Sequence, residues 1–151
     1  CVRLAGIKGC KRMSDVFSKE KRSWIMSRIS GRDTKPEIIV RKLIHRLGFR
    51  FRLHVRTLPG NPDIVLPRHR KVIFVHGCFW HGHENCKRSK KPSTNTGFWD
   101  KKISDNVERD KAVTATLNKL GWQSLTIWQC DIRDREKINN LLRSYLIPGG
   151  K

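Results

Sequence analysis

Acidic residues are scarce in this chain. Its 151 residues hold 13 Asp+Glu against 33 Lys+Arg, a formal net charge of +20 at pH 7. A balance this positive points to a polyanionic partner, nucleic acid first, and to nothing finer, because ribosomal-type proteins and binders of acidic membranes share it. Long hydrophobic runs are missing as well. Nowhere do about 18 apolar residues follow one another, which excludes a helical membrane span. Internal repeats and long low-complexity segments are also lacking. The hydrophobic share of 37% is nonetheless enough for a core, so the chain is not a disordered basic tail.

Cysteine is sparse and its distribution is informative. Cys1 and Cys10 fall in residues 1–12, which lack the long apolar stretch of a signal peptide and read as an appendage, disordered or non-native, ahead of a start at Met13. The fold is expected as one domain over 13–151. Cys78, Cys86 and Cys130 remain. An odd number without a secretion signal argues against a disulfide framework and for a reducing compartment.

The pattern along the chain alternates between two periods. Residues 17–29 read as a short basic helix carrying Phe17, Trp24, Ile25 and Ile29. Thr34 then stands as an N-cap before a helix whose Ile39, Leu43, Ile44 and Leu47 share a face up to Gly48. Phe49, Phe51, Leu53 and Val55 alternate as a strand does. Two apolar runs, 63–66 and 72–75, read as a buried hairpin after a Pro59-Gly60-Asn61-Pro62 turn. A Cys/His/Gly-rich loop reaches to about Gly97. A helix over 98–120 follows, with Ile103, Val107, Asp110, Leu117 and Leu120 near one face, so an acid sits in the apolar stripe. A strand from Trp122 to Trp128 and a last helix with Ile138, Leu141, Leu142 and Tyr145 complete an order α-α-β-β-β-α-β-α. That order is α/β, a small sheet with helices against it.

Three groups of residues carry chemistry. Cys78, His81, His83 and Cys86 lie within nine residues, with Cys130 far downstream at a strand end. Thiolate and imidazole are the donors Zn²⁺ prefers, and three cysteines plus one histidine would close a tetrahedral, structural site. Spacing alone leaves His81 and His83 both open as the fourth ligand. Asp63 sits at the mouth of a strand beside Val75-His76. An acid there can hold Mg²⁺ through oxygen, although Pro-Asp also makes ordinary turns. His76 and His81 can serve as general bases near neutral pH, and Asp110 either orients such a histidine or pairs with Arg109 or Lys111. Finally, Phe79, Trp80 and Trp99 in or beside the loop can stack on bases or wedge between them, Met26 stands in the basic first helix, and Trp24 and Trp122 are expected in the core.

These blocks together resemble one family. Val72-Ile73-Phe74-Val75-His76-Gly77-Cys78-Phe79-Trp80-His81-Gly82-His83 is similar to the very short patch repair (Vsr) endonucleases. So are Arg32-Asp33-Thr34, Leu58 to Val65, Phe98-Trp99 with Lys102-Ile103, Asn106 to Asp110, Gly121-Trp122 and Ile127 to Cys130. The resemblance spans about Met13 to Tyr145. It implies a restriction-endonuclease-like core, a small mixed sheet flanked by helices, and nicking of double-stranded DNA 5′ of the thymine in a T:G mismatch left by deaminated 5-methylcytosine. It further implies Asp63 as the metal-binding catalytic acid and His81 as the histidine that activates water, supported by Asp110. Glu37 and His76 become further active-site residues, with Mg²⁺ held by Asp63 and the Val75 carbonyl. Val75 stands where the family often has Thr. Cys78, His83, Cys86 and Cys130 become the zinc ligands, with one residue inserted between His83 and Cys86. Phe79, Trp80 and Trp99 become an aromatic wedge, Met26 enters from the other groove, and Lys21 and Arg22 are expected on the DNA backbone. No acid-x-Lys follows on the second strand, so the chemistry leans on histidine. A monomer acting in the bacterial cytoplasm, with mismatch-repair proteins as partners, is the expectation. The alternatives are a related nicking endonuclease for other damaged or intact DNA and a non-catalytic zinc module that binds nucleic acid.

Overall fold

The computed structural model describes Ser18, Glu20, Lys21, Trp24, residues 32–93 and residues 95–147. The chain falls into two units, Cys1–Gly31 and Arg32–Lys151. In the first, Glu20, Lys21 and Trp24 are helical, in agreement with the expected basic helix at those positions. Arg22 and Met26 lie outside the described residues, as do residues 1–12. Trp24 is 55% exposed, which corrects its expected place in a core.

The second unit runs α1 (Lys35–Arg46), β1 (Arg52–Leu53), β2 (Ile64–Leu66), β3 (Lys71–His76), α2 (Thr96–Lys119), β4 (Gln123–Trp128) and α3 (Arg135–Leu146). The strands form one mixed sheet in the order β1-β2-β3-β4. β1 with β2 and β2 with β3 are antiparallel, and β3 with β4 is parallel. The expected hairpin is present, closed by Pro67–His69 and by Arg70 in the left-handed region. A parallel pair needs a crossover, which α2 supplies.

β2 and the Val72–Val75 stretch of β3 are apolar because both faces of the sheet are covered. Ile64, Leu66 and Ile73 pack with Val40 and Ile44 of α1 and Ile138, Leu142 and Leu146 of α3. Val65, Val72 and Phe74 point the other way, onto Leu117 and Val113 of α2. The result is a sheet between two helical layers, held by apolar burial worth roughly 25 cal/mol per Å².

Three expectations are corrected. The strand over 49–55 shrinks to Arg52–Leu53, because His54 takes a positive φ and ends it. Phe49 and Phe51 pack against the α1/α3 core and Val55 against the other. The buried face of α1 is Val40 and Ile44 with Leu43 and Leu47 beside them, while Ile39 is exposed. Leu120 lies just past α2 and is exposed as well. Among the described residues no helix is long and apolar enough to cross a membrane.

Candidate active site and metal centre

The chemistry-bearing residues gather at one end of the sheet, where β3 and β4 finish and β2 begins. The Val75 backbone N–H donates to Asp63 Oδ2 at 2.8 Å. In a paired strand the N–H and C=O of one residue leave on the same side. β2 starts only at Ile64, so the Val75 carbonyl faces the same gap as the Asp63 carboxylate. Burial pushes the Asp63 carboxyl above its ordinary range. The Val75 N–H acts against that rise, and the charge of Glu37 adds to it.

Beyond the end of β3 two imidazoles lie on each other. The rings of His76 and His81 are 3.8 Å apart and 9° from parallel. Asp110, one turn above the middle of α2, accepts from His81 Nδ1 at 2.5 Å and lies 3.8 Å from His76 Nδ1. Of the two expectations for Asp110, the structure therefore shows the pairing with a histidine. With Nδ1 as donor, His81 keeps Nε2 as an acceptor. Burial, and then the neighbouring His81, lower His76 to about 4, so it is neutral at pH 7. A cavity of about 710 Å³ opens on His76, His81, Asp110, Thr126 and Trp128.

Glu37 is 3% exposed, yet its carboxylate is fully engaged. It accepts from the Thr34 hydroxyl at 2.7 Å, the Asp33 N–H at 3.0 Å and Arg41 at 3.0 Å. Thr34 thus occupies the N-cap position without capping, since its hydroxyl goes to Glu37. Arg41 also reaches Asp33 at 2.6 Å and His54 Nε2 at 3.1 Å. Neither Arg41 nor His54 was anticipated. The Glu37/Arg41 spacing of four on one helix was a usable signal, whereas nothing local to His54 announces the contact.

Behind the loop, the donor atoms of Cys78, His83, Cys86 and Cys130 all lie within 4.8 Å of one another, with His83 Nδ1 3.3 Å from the Cys130 sulfur. The structure gives His83 to the thiols and His81 to Asp110. Burial and the neighbouring Cys78 push the Cys130 thiol up to about 12, while the Arg88 backbone N–H lowers Cys86. A divalent cation reverses the first effect, because coordinated thiols ionise. Three sulfurs and an imidazole at these separations could hold a metal ion, and the donor set suits a tetrahedral one. Gly82 separates the two histidines with φ +59, and a Cβ there would meet Ile103 at 2.8 Å. Only glycine lets the chain turn tightly enough to send adjacent imidazoles to different sites.

Phe79, Trp80 and Trp99 form one aromatic group, with Phe79 5.2 Å from each indole and the indoles 5.9 Å apart. Trp99 is 9% exposed and serves as its base, whereas Phe98, 5.2 Å from Trp99, is 53% exposed. The Asn106 amide donates to the Trp80 carbonyl at 2.8 Å and ties the loop to α2. Lys21 is exposed on its helical segment. Trp122 is half-buried against the α2-side core.

The chain is similar to known proteins. A family model described as DNA mismatch endonuclease Vsr matches residues 14–88. The DNA mismatch endonuclease Vsr of Escherichia coli (strain K12) is 45% identical over 128 residues, covering 85% of this chain and 81% of that one. The chain belongs to the Vsr family. The type II nicking enzyme V.XorIIP of Xanthomonas oryzae pv. oryzae is 43% identical over 136 residues, covering 90% of this chain and 99% of its own. Among solved structures, the catalytic domain of the homing endonuclease I-Bth0305I superposes with a TM-score of 0.55 over 77% of this chain and 97% of that one, at 21% identity. The core is therefore restriction-endonuclease-like, a small mixed sheet flanked by helices. In this Vsr-family chain the matched residues 14–88 include Glu37, Asp63, His76 and His81 and stop short of Asp110 and Cys130.

Proposed function

We propose that this chain nicks double-stranded DNA 5′ of the thymine in T:G mismatches left by deaminated 5-methylcytosine, and so initiates very short patch repair. Family membership makes it a DNA mismatch endonuclease. The observation that carries the chemistry is the His81–Asp110 pair at 2.5 Å, on the same sheet end as Asp63. His81 Nε2 takes the proton of the attacking water, and Asp110 stabilises the imidazolium that forms. His76, neutral and stacked beneath His81, fixes the plane of that ring, and Glu37 completes the site beside Asp63. The Asp63 carboxylate and the Val75 carbonyl are the oxygens that would hold Mg²⁺, a hard cation. When bound, Mg²⁺ offsets charge on the scissile phosphate and the departing oxygen.

Cys78, His83, Cys86 and Cys130 would hold Zn²⁺ as a closed structural site, with no position left for water. Phe79 and Trp80, backed by Trp99, wedge beside the mismatch, with Met26 from the opposite groove and Lys21 and Arg22 on phosphates. Unstacking a base step costs a few kcal/mol, and less at a wobble pair that is already displaced. Such a reaction belongs in the bacterial cytoplasm, where the chromosome is.

A second reading, a nicking enzyme for other DNA, is favoured by one observation: relatives at 43% and 42% identity are type II nicking enzymes. Single-turnover nicking of labelled duplexes carrying T:G or T:A decides between them. Wild type should cut the T:G strand 5′ of its thymine and leave T:A intact. Asp63→Ala should abolish cutting while mismatch binding survives, and His81→Ala should slow it by roughly 10²–10⁴. Equal cutting of both duplexes selects the second reading. Binding without cutting of either overturns the T:G reading.

A further inference from the structure

Away from the histidines, a second cavity of about 350 Å³ is ringed by four cations, Lys35, Arg88, Arg133 and Arg135, over an apolar floor that includes Ile39 and Ile132. They come from three distant stretches of sequence: the start of α1, the short helical turn Lys87–Ser89, and the segment leading into α3. No acid lines the cavity, and among the described residues none of the four forms an ion pair. Two acids near Arg133 and Arg135 in sequence point to Lys137 instead. Asp131 pairs with Lys137 at 2.7 Å, and Asp134 accepts from the Lys137 N–H at the start of α3.

We propose that this cavity is a binding site for a backbone phosphate of duplex DNA, separate from the scissile one. Gathering four like charges without an anion is unfavourable, and a phosphate relieves it while accepting forked guanidinium bonds. Arg88 follows Cys86 by two residues and Arg133 follows Cys130 by three, and the donor atoms of those two cysteines lie within 4.8 Å of each other, so the thiol cluster brings the two arginine-bearing segments together. Its position fits a duplex already engaged in the active site. Gln129 lines the cavity, and its backbone N–H donates to the His76 carbonyl at 2.9 Å, at the sheet end where Asp63 and His81 stand. Ligands of open α/β sheets gather at such strand ends. The proposal rests on the reading of this chain as a DNA endonuclease.

The test is equilibrium binding of fluorescein-labelled T:G and T:A duplexes over a range of salt, with metal-loaded protein. A phosphate contact contributes about one unit to the slope of log K against log salt and nothing to base preference. Arg88→Gln with Arg133→Gln should lower the slope by about 1 on both duplexes and leave the T:G over T:A affinity ratio unchanged. Lys35→Gln with Arg135→Gln should do the same, which covers the case in which the first pair fails to fold. Lys119→Gln with Arg143→Gln removes two exposed charges elsewhere and should leave the slope at its wild-type value. A wild-type slope in both cavity variants overturns the proposal, as does an equal fall in the control. Thermal melting in inorganic phosphate against chloride of equal ionic strength separates a free-anion site: phosphate stabilisation lost in the variants with an unchanged DNA slope also overturns it. The T:G nicking assay fails independently of this slope, so failure of the endonuclease reading and failure of the cavity are told apart.

Discussion

The indole of Trp128 lies flat against the imidazole of His83, with centroids 4.1 Å apart and planes 3° from parallel, and presents its edge to His76 at 5.6 Å. One rigid plate thus touches both the thiol-imidazole cluster and the stacked histidine pair. Aromatic pairs of this kind contribute about 0.5–1.5 kcal/mol beyond area burial. Trp128→Ala should speed metal release to a chelator and slow single-turnover nicking together, and Trp128→Phe should restore most of both. Metal release at the wild-type rate in the alanine variant would show that the plate does not brace His83.

Replacing Asp63 should separate activity from stability. Its carboxyl is raised by burial, so the folded state holds that proton more tightly than the unfolded one. Its contribution to stability is present below the unfolded pKa and lost as pH rises through the folded one. At neutral pH an ionised, partly buried carboxylate remains. Asp63→Asn keeps an oxygen for the Val75 N–H and removes that charge. The variant should melt above wild type at pH 7.5 without Mg²⁺, and the difference should shrink on acidification, while nicking is lost. Melting at or below the wild-type temperature would contradict the burial cost.

His76 predicts the opposite pH sign. Its folded value of about 4 lies below the ordinary 6.5. Between those limits the unfolded chain takes a proton that the folded one refuses, so stability is full above 6.5 and declines as pH falls toward 4. Thermal melting from pH 7.5 to 4.5 should show a shallower decline for His76→Asn than for wild type. Parallel curves would assign the acid sensitivity to other groups.

Gly82→Ala should damage two sites at once. The residue would be strained at φ +59 and its Cβ would press on Ile103 at 2.8 Å. The loop must shift, and His81 and His83 shift with it. Nicking should fall at least tenfold and metal retention should weaken in the same variant. Loss of one without the other would mean that the loop halves move independently.

Much of the fold was legible because its signals are local. The apolar runs at 64–66 and 72–75 read as buried strands and are covered on both faces, and Val113 and Leu117 of the apolar stripe on α2 pack against the sheet. The Cys/His cluster declared itself by composition, since few other reasons bring so many soft donors into nine residues. Where local signals misled, tertiary contacts had overridden them. The alternation over 49–55 is that of a strand, but His54 turns away to meet Arg41.

What the sequence determined by itself is the inventory: a basic α/β chain, the donor types, the acids and histidines, and the family motifs that order them. Spacing alone left the partners of those groups open; the family resemblance implied them, and the packed structure brings them together. Two histidines separated by one glycine are equivalent to a spacing argument, yet Gly82 folds the loop so that His81 meets Asp110 and His83 meets Cys130. Four cations between positions 35 and 135 share no pattern, and they meet because α1, the Lys87–Ser89 turn and the start of α3 converge beside β4. Residue identity is written along the chain, but hydrogen bonds, stacking and charge act over a few ångströms, and which residues come that close is a property of the packed sheet and helices.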